Sequence, residues 1–121
     1  MRRALVVDDS LTMRGILGAV LQEMGFSVAE AKDGLEAWEM FRSGSSFAVA
    51  LVDWNMPRMT GPELLGNIRQ DHRLDTMPVI MVTTESEISK VQTVLQLGAN
   101  GFVVKPFQVD AIIDQLNALG L

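Results

Sequence analysis

The stretch "ALVVDDS", residues 4–10, runs four apolar residues into two adjacent carboxylates, Asp8 and Asp9, followed by a serine. A short aliphatic run bounded by polar residues is the signature of a strand buried on both faces, as in a parallel sheet. Two like charges at the mouth of such a strand raise each other's pKa unless a cation joins them. The stretch therefore marks a strand and the point at which that strand ends in chemistry.

Three more runs have the same character, at residues 49–52, 79–82 and 102–104, and "SVAEA", residues 27–31, is a weaker strand candidate. Between the runs the period becomes helical. Met13, Ile16, Leu17, Val20, Leu21 and Met24 follow an i, i+3, i+4, i+7 pattern closed by Gly25. Leu35, Trp38 and Phe41 form a stripe after Asp33, and Leu64, Leu65 and Ile68 form one after Gly61. Ile88, Val91 and Leu95 mark a fourth helix ending near Gly98; Val109, Ile112, Ile113 and Leu116 mark a fifth. Strands alternating with helices through short connections predict an α/β, doubly wound (flavodoxin-like) domain: a five-stranded parallel sheet flanked by five helices. With no internal repeat, linker or low-complexity segment, residues 1–121 read as one domain with no appended effector.

Bulk properties narrow the function. The 121 residues suffice for one core, and 48% hydrophobic against 21% charged residues is a globular composition. Fifteen acidic residues outweigh ten scattered basic ones, giving a net charge of -5, which argues against a nucleic-acid surface. The absence of cysteine excludes disulfides, thiolate metal sites and cysteine nucleophiles. Arg2 and Arg3 before an apolar run resemble the start of a signal peptide, but Asp8 and Asp9 interrupt the run too early. No stretch is long enough to span a bilayer. A soluble cytoplasmic monomer that binds neither nucleic acid nor membrane is expected.

Each strongly apolar run stops at a polar residue: Asp8 and Asp9, Asp53, Thr83, Lys105. Ligands of open parallel sheets bind outside the carboxyl ends of the strands. If the strand order is 2-1-3-4-5, these residues converge on one pocket and the weaker strand lies at an edge. Oxygen ligands without histidine or cysteine favour a hard cation, and a site with few protein ligands suits Mg²⁺. A capping role for Asp8, Asp9 or Ser10 on the first helix is the plainer alternative. It accounts for neither Asp53 nor Lys105. A carboxylate beside Mg²⁺ can attack a phosphoryl group, with Lys105 and Thr83 stabilising the phosphoryl oxygens.

In register along nearly the whole chain, "VVDDS" (6–10), "LVDWNMP" (51–57), "MVTTE" (81–85) and "VVKPF" (103–107) resemble the motifs of response-regulator receiver domains, above all the chemotaxis (CheY) type. The resemblance implies the 2-1-3-4-5 strand order and a role for each residue. Asp53 is then the phosphoacceptor, Asp9 a direct Mg²⁺ ligand, Asp8 a ligand through water, and the Asn55 backbone carbonyl the third protein ligand. Thr83 and Lys105 hold the phosphoryl oxygens with the backbone N–H groups of Trp54 and Thr84, and Asn55 and Glu85 tune dephosphorylation. Thr83 and Phe102 form the switch, and the Lys105-Pro106 peptide is cis. A histidine kinase is the phosphodonor, and a downstream protein docks on the fourth helix, fifth strand and fifth helix, with Lys90 among the movable residues. Two departures stand out: Phe102 replaces a tyrosine, and Thr60 stands where an acid is common.

The expected function is therefore a single-domain response regulator of a two-component phosphorelay, a phosphoacceptor switch rather than an enzyme, with chemotaxis one pathway. An intermediate receiver of a multistep relay fits equally well. A metal-dependent phosphatase with Asp53 as nucleophile is the enzymatic rival, weakened because Asn55 stands where a second acid would be needed. A flavin-binding module is disfavoured by acids that would repel a phosphate. His72 reads as a solvated loop residue, Trp38 as core and Trp54 as partly exposed beside the acceptor. Neither GxGxxG nor GxxxxGK[ST] is present.

Overall fold

The computed structural model describes residues 2–84 and 89–121. In chain order the elements are β1 (Arg3–Val7), α1 (Leu11–Glu23), β2 (Ser27–Ala31), α2 (Gly34–Arg42), β3 (Val49–Asp53), α3 (Gly61–Gln70), a 3-10 turn (His72–Leu74), β4 (Val79–Thr84), α4 (Val91–Gln96), β5 (Gly101–Lys105) and α5 (Val109–Ala118). All strand pairs are parallel, in the order β2-β1-β3-β4-β5. This is the expected flavodoxin-like receiver architecture.

Alternation along the strands divides the core in two. Leu5, Val7, Ala50, Val52, Val79 and Met81 face α2, α3 and α4, while Ala4, Val6, Val49, Leu51, Ile80 and Val82 face α1 and α5. Both faces of β1 and β3 are covered, which is why these strands read as unbroken apolar runs. β2 is an edge strand with exposed Ser27 and Glu30, and its sequence is correspondingly mixed. Register brings the strand ends into line: Val7 pairs with Val52, Asp53 with Val82, and Thr84 with Lys105.

The helix starts follow capping chemistry. Ser10 accepts the Met13 N–H at 3.1 Å and caps α1, so the cap falls to neither aspartate. Asp33 caps α2 through the Glu36 N–H. Thr60 and Glu63 form a reciprocal capping box on α3, so the threonine at this departure from the family pattern starts the helix. The helical stripes are narrower than periodicity suggests. Ile16, Leu95 and Val109 are exposed at 42%, 40% and 45%, because a helix on a sheet buries one stripe, here Leu17, Val20 and Leu21 in α1, Val91 and Val94 in α4, and Ile112 and Leu116 in α5. Ile88, expected in the fourth helix, lies outside the described residues. No helix among the described residues is long and apolar enough to cross a membrane.

Candidate metal and phosphoryl site

β1 and β3 are neighbours, so their carboxyl ends deliver Asp8 and Asp53 side by side, with Asp9 one residue beyond. One carboxylate oxygen from each of Asp8, Asp9 and Asp53 lies within 4.8 Å of the others. Asp8 is fully buried and heavily constrained. Its Oδ1 accepts the Ser10 N–H at 2.9 Å, its N–H donates to the Ala31 carbonyl, and its carbonyl accepts from Arg14 Nη1 at 2.7 Å. Asp9, by contrast, is exposed.

Lys105 reaches in from the end of β5. Its Nζ donates to Asp8 Oδ2 at 3.0 Å and to Asp53 Oδ1 at 3.1 Å, bridging two buried carboxylates. Burial works against the ammonium, but Asp8 and Asp53 outweigh it and push the Lys105 pKa up. Asp53 is raised to about 6 by burial and then by Asp8, with Lys105 opposing and Asp9 adding a little. One lysine therefore leaves the three acids undercompensated. The donor set is all oxygen, with no nitrogen or sulfur ligand, and fits a hard cation such as Mg²⁺.

Thr83 is fully buried, and its hydroxyl donates to the Thr84 carbonyl at 3.2 Å rather than to Asp53. The Trp54 N–H donates to the Val82 carbonyl at 3.0 Å, so in this state it closes the β3–β4 ladder. Thr84 ends β4 opposite Lys105, Asn55 is exposed just beyond Asp53, and Glu85 lies outside the described residues. Phe102 is half-buried against the core on the α2–α4 face, and the Lys105-Pro106 peptide is cis as expected.

Two readings need correction. Trp54, expected to be partly exposed, is only 8% exposed, because its side chain joins Met56, Leu64 and Leu65 in the core while Asp53 takes the pocket side. Trp38, expected to be core, is only half-buried; it borders an open groove with Asn67, Gln70, Asp71, His72 and Arg73, away from the acids. His72 is solvated, as its polar surroundings suggest. Sequence reasoning missed Arg14, which ties the Asp8 carbonyl to Glu30. A basic residue in the first helix turn, where acids are favoured, was the available signal.

The sequence signature described as "Response regulator receiver domain" matches residues 4–117. The chain belongs to this family. It is 41% identical over 118 residues to the chemotaxis protein CheY1 of Helicobacter pylori strain J99, covering 97% of this chain and 95% of that protein. Among solved structures, the chemotaxis response regulator CheY4 of Vibrio cholerae superposes with a TM-score of 0.89 at 35% identity, with 98% of each chain covered. The signal receiver domain of a signal transduction histidine kinase from Syntrophus aciditrophicus gives 0.88 at 29% identity, covering 98% of this chain and 89% of that one. As a CheY-type receiver domain, the chain has the fold of a phosphoacceptor switch, and its acid cluster is of the kind that binds Mg²⁺ in the family.

Proposed function

We propose that this receiver domain is the response regulator of a two-component phosphorelay in the cytoplasm, with Asp53 as the residue that accepts the phosphoryl group. The observation that supports this most directly is the buried Asp53 carboxylate, hydrogen-bonded to Lys105 and within 4.8 Å of oxygens from two further acids. Asp9, Asp53 and the Asn55 carbonyl would hold Mg²⁺ directly and Asp8 through water. When bound, the ion supplies positive charge to the carboxylate and to the incoming phosphoryl oxygens.

The side chains account for the rest of the reaction. An Asp53 oxygen attacks phosphorus, and the bond to the donor's histidine nitrogen or acyl oxygen breaks, its electron pair leaving with the donor. Lys105 is already poised beside Asp53, so it reorganises little as charge develops on the phosphoryl oxygens. The Thr83 hydroxyl reaches the phosphoryl group only by giving up the Thr84 carbonyl. The Trp54 N–H has to share or release its bond to Val82. Asn55 and Glu85 would set the lifetime of the phosphate.

The donor would be a histidine kinase and the output a protein docked on α4, β5 and α5, with the domain acting as a monomer. Chemotaxis is the pathway we favour, because relatives that match over nearly the whole chain at 41–42% identity include chemotaxis proteins of Helicobacter pylori and Pseudomonas aeruginosa. The structural likeness to the receiver of a histidine kinase supports a second reading, an intermediate in a multistep relay. Incubation with acetyl phosphate and Mg²⁺, followed by intact-mass measurement, tests the assignment. Wild type should gain one labile phosphoryl group and Asp53→Asn none. Multiple turnover of unrelated phosphomonoesters would point to the phosphatase instead, and onward transfer to a histidine phosphotransfer protein would point to the relay.

A further inference from the structure

The loop between β3 and α3 is pinned at three places. At its start the Trp54 N–H bonds to Val82, and at its end the Gly61 N–H returns to the Trp54 carbonyl at 2.9 Å. The third anchor lies between them and involves no acid of the pocket. Arg58 has φ of 67°, the one non-glycine residue with positive φ among those described, and the Met59 N–H bonds to the Pro57 carbonyl at 2.7 Å across it. That is a γ-turn with a left-handed centre, the rare and strained form. Glycine or asparagine would sit there with less strain. An arginine stands there instead, and its Nε donates to Asp33 Oδ2 at 2.9 Å.

Asp33 is well placed to hold it. Its carboxylate is 4% exposed, and the other oxygen, Oδ1, accepts the Glu36 N–H at 2.8 Å as the cap of α2. The two loops also touch through their backbones: a Cβ on Gly34 would overlap the Met59 carbonyl. Strained residues persist where their surroundings over-determine them, and they cluster at functional sites. Here the surroundings are a buried carboxylate on the neighbouring loop, and the strained turn lies three residues beyond Asn55.

We propose that Arg58 is a positioning residue for the metal site: its ion pair with Asp33 holds the strained turn, and so fixes the direction of the Asn55 carbonyl beside Asp53. The proposal rests on the reading of Asn55 as a metal ligand. Removing either partner would let the turn relax and the carbonyl wander, weakening cation binding while leaving Asp8, Asp9 and Asp53 intact. Outer partners of metal ligands contribute in this way without touching the ion.

The test is titration of Mg²⁺ followed by backbone amide NMR shifts, with thermal unfolding in parallel, on wild type, Asp9→Ala, Arg58→Gly, Arg58→Lys and Asp33→Asn. Asparagine keeps the cap on α2, and glycine relieves the backbone strain, so neither variant depends on a failure to fold. Arg58→Gly and Asp33→Asn should each weaken Mg²⁺ binding about tenfold, and the double variant no further. Arg58→Lys should restore part of the loss. Saturable, Asp9-dependent binding in wild type with unchanged affinity in Arg58→Gly and Asp33→Asn would overturn the positioning role alone. Absence of Asp9-dependent Mg²⁺ binding in wild type would overturn the metal reading and the proposal with it.

Discussion

Burial and the neighbouring Asp8 hold the Asp53 carboxyl at a pKa of about 6 against an ordinary 3.8, despite a lysine nitrogen 3.1 Å away. The folded protein thus binds more protons than the unfolded chain between these two values, and the associated stability is present below 3.8 and lost as pH rises through about 6. Asp53→Asn removes the acid without removing the bulk. In metal-free solution its melting temperature should therefore rise relative to wild type between about pH 4 and about pH 7, by an amount worth about 1–3 kcal/mol. A gap that stays constant over that range would contradict the strain, and added Mg²⁺ should shrink it by compensating the wild-type carboxylates. Asp8 and Asp9 divide the work differently. Asp8 is buried and already tied to Lys105, Ser10 and Arg14, whereas Asp9 is exposed and close to both other acids. Asp9→Ala should accordingly weaken Mg²⁺ binding more than Asp8→Ala does; equal affinities in amide-shift titrations would remove the assignment of Asp9 as the direct ligand. These acids and Lys105 were legible because each terminates an apolar run. Trp54 was misread because its side chain joins the core cluster on the α2–α4 face, and a residue beyond the end of an apolar run carries no pattern that separates such burial from exposure.

α3 is docked so closely on the end of β3 that a Cβ on Gly61 would overlap the Asp53 carbonyl and crowd Met81. Gly61→Ala should force the helix away from β3 and cost about 1–3 kcal/mol in urea unfolding. An unchanged midpoint would mean the contact yields without consequence. At its other end the same helix is held by Arg69, whose guanidinium donates to the carbonyls of Gly98, Leu74 and Met77 and to Asn100 Oδ1. The loop that follows Asp53 thus leads into an element fixed at both ends. Strands β1, β3 and β4 could be located from composition because burial on both faces demands apolar residues throughout. Both edge strands are less buried; β5 still carries the apolar run Phe102 to Val104, whereas β2 mixes exposed Ser27 and Glu30 with its apolar residues and reads more weakly. Helix faces were legible in period but not in width: Ile16 and Leu95 fit the stripe yet lie outside the contact with the sheet. Arg58 was not legible at all, since its role joins loops 25 residues apart in sequence.

At the scale of the whole domain, Thr83 and Phe102 lie on one face of the sheet, between the pocket of the proposed acceptor and the proposed output surface. Thr83 and Phe102 both point to the side covered by α2, α3 and α4: Phe102 pairs in register with Met81, and Thr83 follows Met81 by two residues. In the present state the Thr83 hydroxyl is bonded to the Thr84 carbonyl and Phe102 is half-buried. A phosphoryl group on Asp53 brings up to about two negative charges and new acceptor oxygens, which favour rotation of the hydroxyl toward it. The rotation opens space on the face that Phe102 shares. A ring without a hydroxyl enters that space with no polar group left unpaired, so burial of Phe102 is favoured more simply than burial of a tyrosine would be. β5 is the edge strand between α4 on one face and α5 on the other, so movement of its aromatic ring alters the surface that both helices flank. Thr83→Ala should therefore still take phosphate from acetyl phosphate but lose most of the change around α4, β5 and α5, whereas Asp53→Asn should lose both. Amide NMR shifts with and without beryllofluoride, a phosphoryl mimic, measure this directly. Shifts confined to the acid pocket in wild type, with Phe102 and α4 unmoved, would place the output on another face of the domain.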